Sequence, residues 1–281
     1  MFNTPSTILA HESVTNAGNF VTHEYILNRG ETSMNLFRRF CPHRMYPLAE
    51  PGSIVENIVC GFHGFAWNKD GTPINNDRKI GCGSATIGKS GLVFKNFVEP
   101  EHQWVDDLSK ETELKYSHCY TGHSKGSWLW FMDVNADLLH VQKDGIHPVL
   151  SKQVELEDVG METGDGWALQ THPDGWWLCI YPFSFVEYSR PGMLSIMTVT
   201  PDNINNEYGY TWLTQVYYED SVDINRRMIF ETLDTVFKED IEASELQKGN
   251  YYPLKKAHNR YEDHCIHFGE WYLKNLKKEN Q

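Results

Sequence analysis

Hydrophobic and polar positions divide the chain into a part with short strands and turns and a part with longer elements. From about residue 17 to residue 100, brief apolar runs alternate with turn-forming residues, which is typical of an antiparallel β-domain. The turn signals are Asn28-Arg29-Gly30, Pro51-Gly52, Asp70-Gly71, Gly81-Cys82-Gly83 and Ser90-Gly91. Glu101 to Lys115 is acidic and poor in apolar residues, so it predicts a solvated connection between two domains.

The second part predicts strands with helices around them. Trp128 to His140 has helical character, and Gly166 to Tyr218 is strand-like, with breaks at several Pro-Asp and Pro-Gly steps. Ser221 to Lys248 and Tyr261 to Leu276 carry apolar residues at helical spacing. Strands flanked by helices predict an α+β fold for this part.

These patterns predict two domains. The first is an all-β domain at residues 17–105. The second, at residues 116–281, contains an antiparallel sheet and surrounding helices, and residues 1–16 are expected to pack on it. Within it, Trp177, Cys179, Tyr181, Phe183 and Phe185 alternate with smaller or more polar residues and are predicted to share one face of a strand. That aromatic face could line a pocket, but packing of the sheet against helices is the favoured interpretation.

The composition indicates an acidic globular protein. Hydrophobic residues make up 40% of the chain and charged residues 22%, which excludes general disorder. A net charge of −13 disfavours binding to nucleic acid and to anionic membrane surfaces. Met1 to Asn16 lacks the features of a secretory signal, and the apolar stretch Trp176 to Val186 is too short to span a bilayer. We therefore expect a cytoplasmic protein.

Cysteines and histidines form one clear motif. Cys41-Pro-His43 is followed, after 16 residues, by Cys60-Gly-Phe-His63. Two thiolates and two imidazoles in this order suit a Rieske 2Fe-2S cluster, in which Cys holds one iron and His the other. A structural zinc site uses the same residue types, but zinc sites usually pair Cys with Cys and His with His. The remaining four cysteines, Cys82, Cys119, Cys179 and Cys265, are predicted to be ordinary buried or partly buried thiols.

A second set of polar residues follows Trp128. Asp133, Asp137 and His140 lie four and three residues apart, so on a helix they share one face, and His147 follows with Pro148 next to it. Taken alone, an amphipathic helix with a solvated polar face explains this pattern better than a site does.

Both motifs resemble one protein family. Residues 20 to 100, including the Cys-Pro-His-Arg loop and the absence of an additional cysteine beside each ligand pair, resemble the Rieske domain of ring-hydroxylating, Rieske-type non-heme iron oxygenases. The segment from Trp128 to Pro148 resembles the catalytic motif of these oxygenases, and Glu239-Asp240 with Gln247-x-Gly249 resembles their closing helix. The chain is similar to a short member, with a helix-grip catalytic domain implied.

The resemblance implies roles for individual residues. His140, His147 and Asp240 would be the 2-His-1-carboxylate triad for mononuclear Fe(II), with open positions for O2 and substrate. Six residues separate His140 and His147, whereas the family usually has four or five between its two histidines. His147 therefore matches the family's catalytic motif less well than His140 does. Glu239 and Asp234 are alternative candidates for the third ligand. The remaining interpretation of these acidic residues is that they form a solvated face of a helix and bind no metal. The resemblance also implies that Asp137 bridges His140 to His63 of the partner subunit in a homotrimer.

The implied activity is hydroxylation or oxidative demethylation of a small organic substrate, by a monooxygenase rather than a dioxygenase. The chain has no nucleotide-binding fingerprint, so a separate NAD(P)H-dependent reductase would supply electrons, directly or through a ferredoxin. The His147-Pro148 step and the helix with Glu239-Asp240 and Gln247-x-Gly249 most resemble the branch of the family that oxidises quaternary ammonium compounds. An aromatic pocket would bind such a cation by cation–π attraction. The alternatives are a Rieske electron-transfer protein with a degenerate second domain and a zinc-stabilised binding protein.

Overall fold

The computed structural model describes residues 6–110, 114–142, 145–147, 156–189, 192–220, 222 and 233–276. Over the first hundred of these residues, short strands separated by Gly-containing turns form one large sheet and one small sheet. The strands are β1 (Thr7–His11), β2 (Asn19–Val21), β3 (Tyr25–Arg29), β4 (Ser33–Arg38), β5 (Ile54–Val55), β6 (Ile58–Val59), β7 (Ala66–Trp67), β8 (Gly81–Ile87) and β9 (Leu92–Lys95). The large sheet has the order β1-β9-β8-β4-β3-β2-β5, and β6 pairs with β7.

The second part contains one larger antiparallel sheet with helices. Its strands are β10 (Lys115–Ser127), β11 (Gly160–Gly164), β12 (Trp167–His172), β13 (Gly175–Ile180), β14 (Ser184–Ser189), β15 (Met193–Pro201) and β16 (Tyr208–Tyr218), in the order β10-β16-β15-β14-β13-β12-β11. The α-helices are α1 (Gln103–Lys110), α2 (Trp128–Ala136), α3 (Leu233–Leu246) and α4 (Asp263–Asn275). The predicted α+β class, an all-β part followed by a sheet with surrounding helices, is confirmed.

Alternation along the strands gives the second sheet two buried faces. Leu178, Ile180 and Ile196 on one face pack with residues of the first sheet, such as Ile8 and Phe20. The residues between them point to the other face and pack against α2, α3 and α4. The helices therefore lie on the side of the second sheet that faces away from the first sheet. The predicted domain limits stay a prediction, and β1, before residue 17, pairs with β9 of the first sheet.

Two local predictions, a solvated connection and a turn, were wrong. The stretch Glu101 to Lys115, predicted as a solvated connection, contains α1, whose Trp104, Val105 and Leu108 are buried. These three residues recur on one side of a helix, so a short amphipathic helix docks on the core despite its many charges. The predicted turn at Gly81-Cys82-Gly83 lies in β8, where a bulge opposite Leu36 and Phe37 accommodates it.

The aromatic strand and the helix ends also differ from prediction. Trp177 and Phe185 do share a face, and their rings stack with centroids 5.5 Å apart. They lie on different strands, however, because the chain reverses between β13 and β14 at Pro182, a residue that breaks strands. The predicted helix ending at His140 stops at Ala136. The first part of the predicted helix Ser221 to Lys248 lies outside the described residues, and α4 confirms the last predicted helix.

Within the described residues, each helix is too short or too polar to cross a bilayer.

Candidate metal centres

Two loops with the same backbone geometry carry the Cys/His motif. In each loop the cysteine carbonyl accepts a hydrogen bond from the N–H four residues later, at 2.9 Å from Met45 to Cys41 and 2.8 Å from Gly64 to Cys60. Both closing residues have a positive φ, 54° at Met45 and 70° at Gly64, which glycine adopts freely and other residues rarely do. The loops thus hold their two cysteines in equivalent positions.

The four side chains of the motif converge. The thiols of Cys41 and Cys60 are free and each residue is only 1% exposed, whereas His43 and His63 lie at the surface with Nδ1 atoms 3.1 Å apart. Burial raises the pKa of the Cys41 thiol, and the neighbouring Cys60 adds to this, while backbone N–H groups of His43 and Arg44 favour its thiolate. Two buried sulfurs below two surface imidazoles suit a dinuclear cluster with inner Cys and outer His ligands.

The end of α2 positions the first residues of the second centre. Helix α2 is capped by Ser127, whose hydroxyl accepts a hydrogen bond from the N–H of Trp130, and the helix is buried almost all round. Asp137 ends the helix in an extended conformation, and its carboxylate accepts the N–H of Leu139 at 2.7 Å. This bond starts a 3₁₀ turn, Leu139–Val141, that carries His140. Asp137 is therefore a local cap, which explains why the helix stops before His140.

His140, His147 and Asp240 come together on three different segments. One ligand atom from each lies within 4.8 Å of the others, and the two imidazole centroids are 4.9 Å apart. Asp240 Oδ1 is 3.0 Å from His147 Nε2 and 3.5 Å from His140 Nε2. His147 is fully buried and Asp240, on α3, is 3% exposed. Two imidazoles and one carboxylate thus face a common point.

The loop between the histidines accommodates the long spacing. The N–H of Ile146 bonds to the carbonyl of His140 at 3.1 Å, and Gly145 bonds to Gln142 at 2.7 Å. A Cβ on Gly145 would lie 1.8 Å from the His140 carbonyl oxygen, so only glycine fits this close approach. The six-residue spacing therefore does not separate His147 from the other two residues.

Electrostatics at this centre favour a bound cation. Burial tends to lower the pKa of His147, but the carboxylates of Asp240 and Glu239 outweigh it and raise that pKa. Burial lowers the pKa of His140 despite Asp240 nearby. His147 Nε2 and Asp240 Oδ1 are buried, yet neither has a hydrogen-bond partner of acceptable geometry. Orphaned buried donors and acceptors are costly, so the residues fit a metal ion that would satisfy them together.

The other candidate residues have distinct positions. Glu239 accepts a hydrogen bond from His147 Nδ1 at 2.8 Å and is not one of the three converging residues. Sequence reasoning considered it only as an alternative ligand and missed this contact. Burial raises the pKa of Asp137 to about 6, and its described hydrogen bond is to the backbone. The side chain of Asp234 lies outside the described part of the structure.

Aromatic side chains surround the centre mainly as core. Trp177 contacts Phe237 of α3 with centroids 5.7 Å apart, and Phe185 contacts Phe131 of α2. Tyr181 contacts Phe268 of α4. These contacts agree with the favoured interpretation, in which this face of the sheet packs against the helices.

Comparisons with known proteins agree with this architecture. Residues 7–82 match the family model described as the Rieske [2Fe-2S] domain, whereas no curated protein sequence matches the chain. Among solved structures, the quaternary ammonium Rieske monooxygenase CntA in complex with its substrate L-carnitine has a TM-score of 0.71 and 17% identity, with 96% of this chain and 88% of that chain covered. NdmA of Pseudomonas putida CBB5 has a TM-score of 0.56 and 16% identity, with 99% and 91% covered.

Identities this low establish a shared fold and not a shared activity. The family match nevertheless decides between the two interpretations of the Cys/His motif in favour of the cluster, because it covers both loops. The chain therefore contains a Rieske [2Fe-2S] domain and has, over nearly its whole length, the fold of the Rieske non-heme iron oxygenases.

Proposed function

We propose that the chain is a Rieske oxygenase that uses O2 and externally supplied electrons to hydroxylate or oxidatively demethylate a small organic molecule. The observation that carries this proposal is the convergence of His140, His147 and Asp240 within 4.8 Å in a chain that also contains a Rieske domain. A Rieske electron-transfer protein would have no use for a second buried set of two imidazoles and one carboxylate.

The residues divide into two groups by role. Cys41, His43, Cys60 and His63 would hold the 2Fe-2S cluster, and His140, His147 and Asp240 would hold Fe(II). Fe(II) in such a site supplies O2 activation when bound. Glu239 accepts a hydrogen bond from the Nδ1–H of His147. This bond fixes the tautomer of the imidazole in which Nε2 carries no proton and can bind the metal. Burial of His147 and Asp240 keeps bulk water away.

Electron transfer would cross a subunit boundary in a homotrimer. His63 is exposed, so a second copy of the chain can reach it, and Asp137 lies next to the turn that carries His140. One CntA structure, 14% identical and with a TM-score of 0.67, is described as giving insights into inter-subunit electron transfer. We propose that Asp137 links His140 to His63 of the partner subunit. A separate NAD(P)H-dependent reductase, directly or through a ferredoxin, would reduce the cluster.

The substrate class is a quaternary ammonium compound, and the reaction is a monooxygenation. CntA, which shares the fold, was solved with L-carnitine and with γ-butyrobetaine as substrates. An acidic chain with aromatic side chains near the centre is compatible with a cationic substrate.

Oxygen uptake and product analysis with the reduced protein test this function. We expect product with trimethylammonium compounds and none with aromatic acids. Product with aromatic acids and none with trimethylammonium compounds would exclude the substrate class. The absence of O2 uptake and of product with every substrate would favour the electron-transfer alternative.

The variant Asp137→Asn tests the bridge. Asparagine keeps an oxygen that can accept the N–H of Leu139, so the turn should persist, but product formation should fall about 100-fold because the charged link is lost. The cluster's EPR signal should be unchanged. Asp174→Asn, at an exposed position, is the matched control. Normal turnover of Asp137→Asn would rule out the bridging role.

A further inference from the structure

A half-buried carboxylate on the helix-facing side of the second sheet has no role in the chemistry described so far. Glu187 lies two residues after Phe185 on β14, so both side chains point to the face that packs against the helices. Its one described hydrogen bond is from Ser189 Oγ at 3.2 Å, and no described basic side chain pairs with it. Burial raises the pKa of Glu187 to about 7, although part of the side chain remains accessible. A carboxylate that is held largely out of water and has no cationic partner among the described residues is a candidate to receive a cationic ligand.

Strand register places Glu187 in a row of side chains that leads to the metal centre. Gln170 is opposite Trp177, and Trp177 is opposite Glu187, so the three side chains are neighbours on adjacent strands. Gln170 donates to the carbonyl of Ala136, four residues before His140. With strands about 4.8 Å apart, Glu187 lies roughly 10 Å from Gln170.

The middle of this row also contacts the helix that carries the third member of the triad. The Trp177 ring lies 5.7 Å from that of Phe237, which precedes Asp240 by three residues on α3. Trp177 is only partly buried, like Glu187 beside it. A partly accessible indole and a partly accessible carboxylate therefore lie side by side on the face of the sheet that packs against α3, the helix that carries Asp240.

We propose that Glu187 and Trp177 form a subsite for the positively charged group of the substrate, an alkylammonium. A carboxylate without a cationic partner is costly to bury, and a bound cation offsets that cost. The accessible part of the Trp177 ring, which also contacts Phe185 and Phe237, attracts the same cation through its quadrupole, most strongly where water is excluded. A neutral ligand of equal shape would gain neither interaction. The subsite rests on the proposed function only in that its ligand is taken to be the substrate.

Binding of a matched pair of probes to the full-length, metal-loaded protein tests the subsite. Choline carries a trimethylammonium group, and 3,3-dimethylbutan-1-ol is its neutral isostere. By titration calorimetry we expect wild-type protein to bind choline at least about tenfold more tightly than the isostere. Glu187→Gln should weaken choline binding about tenfold and leave binding of the isostere unchanged. Glu157→Gln, at an exposed position, should bind like the wild type.

Equal affinities of the wild-type protein for the two probes would overturn the proposal, and this comparison holds even if Glu187→Gln fails to fold. Unchanged choline binding by a folded Glu187→Gln would also overturn it. Because the assay requires no turnover, its outcome is separate from that of the proposed function. Iron content and O2 uptake of the same preparation report on the oxygenase, and the probes report on the subsite.

Discussion

At the scale of residues, the spacing of Cys41, His43, Cys60 and His63 was sufficient to predict the cluster motif. Each pair lies within one tight loop, so local geometry decides its arrangement. The contact between His147 and Glu239 could not be predicted in the same way. His147 and Glu239 are 92 positions apart in the sequence, and only the packing of α3 decides which acidic side chain faces the His147 imidazole. The resemblance favoured Asp240 over Glu239 as the third ligand, but nothing in the sequence pattern indicated that Glu239 would contact the other ring nitrogen of His147.

Asp133 provides a prediction about pH at this scale. Burial raises its pKa from 3.8 to about 7, although Tyr251 donates a hydrogen bond to it at 2.9 Å. Because the folded-state pKa lies above the unfolded one, the stabilising contribution is present at low pH and is lost as the pH rises from about 4 through 7. Compared with Asp133→Asn, the wild type should lose about 2 kcal/mol of unfolding free energy between about pH 5 and pH 8.

Urea unfolding at several pH values measures this difference. The amide oxygen of Asp133→Asn can still accept the Tyr251 hydroxyl, so the variant should keep its packing. Parallel pH profiles for wild type and Asp133→Asn would show that this carboxyl does not titrate abnormally. Asp174→Asn should follow the wild-type profile because residue 174 is exposed.

At the scale of elements, periodicity predicted elements with a continuous apolar pattern and failed where a short element is highly charged. Helix α4 and most strands of the second sheet follow their patterns. Sequence periodicity did not reveal helix α1, because among its described side chains three are buried and the others are polar or charged. The reversal at Pro182 was overlooked because apolar alternation continues across it, although proline is a signal against a continuous strand.

Helix α1 should contribute strongly to stability. Trp104 is 1% exposed and lies 6.2 Å from Trp176 of the second sheet, centroid to centroid. Trp104→Ala should lower the free energy of unfolding by about 3 kcal/mol, because it removes a large buried side chain. Asp106→Ala, on the exposed side of the same helix, should change it by less than about 0.5 kcal/mol. Equal effects of the two variants in chemical denaturation would mean that α1 is not docked as described.

At the scale of the whole molecule, the order of all-β part and mixed part was predictable, but their arrangement was not. The packing of the first sheet on one face of the second, with helices on the other, depends on contacts between residues far apart in sequence, such as Ile8 with Ser184. The proposed trimer belongs to this scale, since it joins the cluster of one subunit to the triad of the next.

Mixed oligomers test electron transfer between subunits. His63→Ala should disable the cluster and Asp240→Ala the mononuclear site, so each variant alone should be inactive. Random co-assembly in equal amounts should restore about a quarter of wild-type activity, because one in about four interfaces would join an intact cluster to an intact triad. No restoration in mixed oligomers of verified composition would contradict transfer across the interface.

Metal content is the most direct test of the central claim that the chain has two separate iron centres. Iron and acid-labile sulfide should be measured per chain for wild type and for Asp240→Ala. We predict about three irons and two sulfides in the wild type, and about two irons with two sulfides in the variant, because only the site at His140, His147 and Asp240 would be lost. Two irons per chain in both proteins would contradict the account.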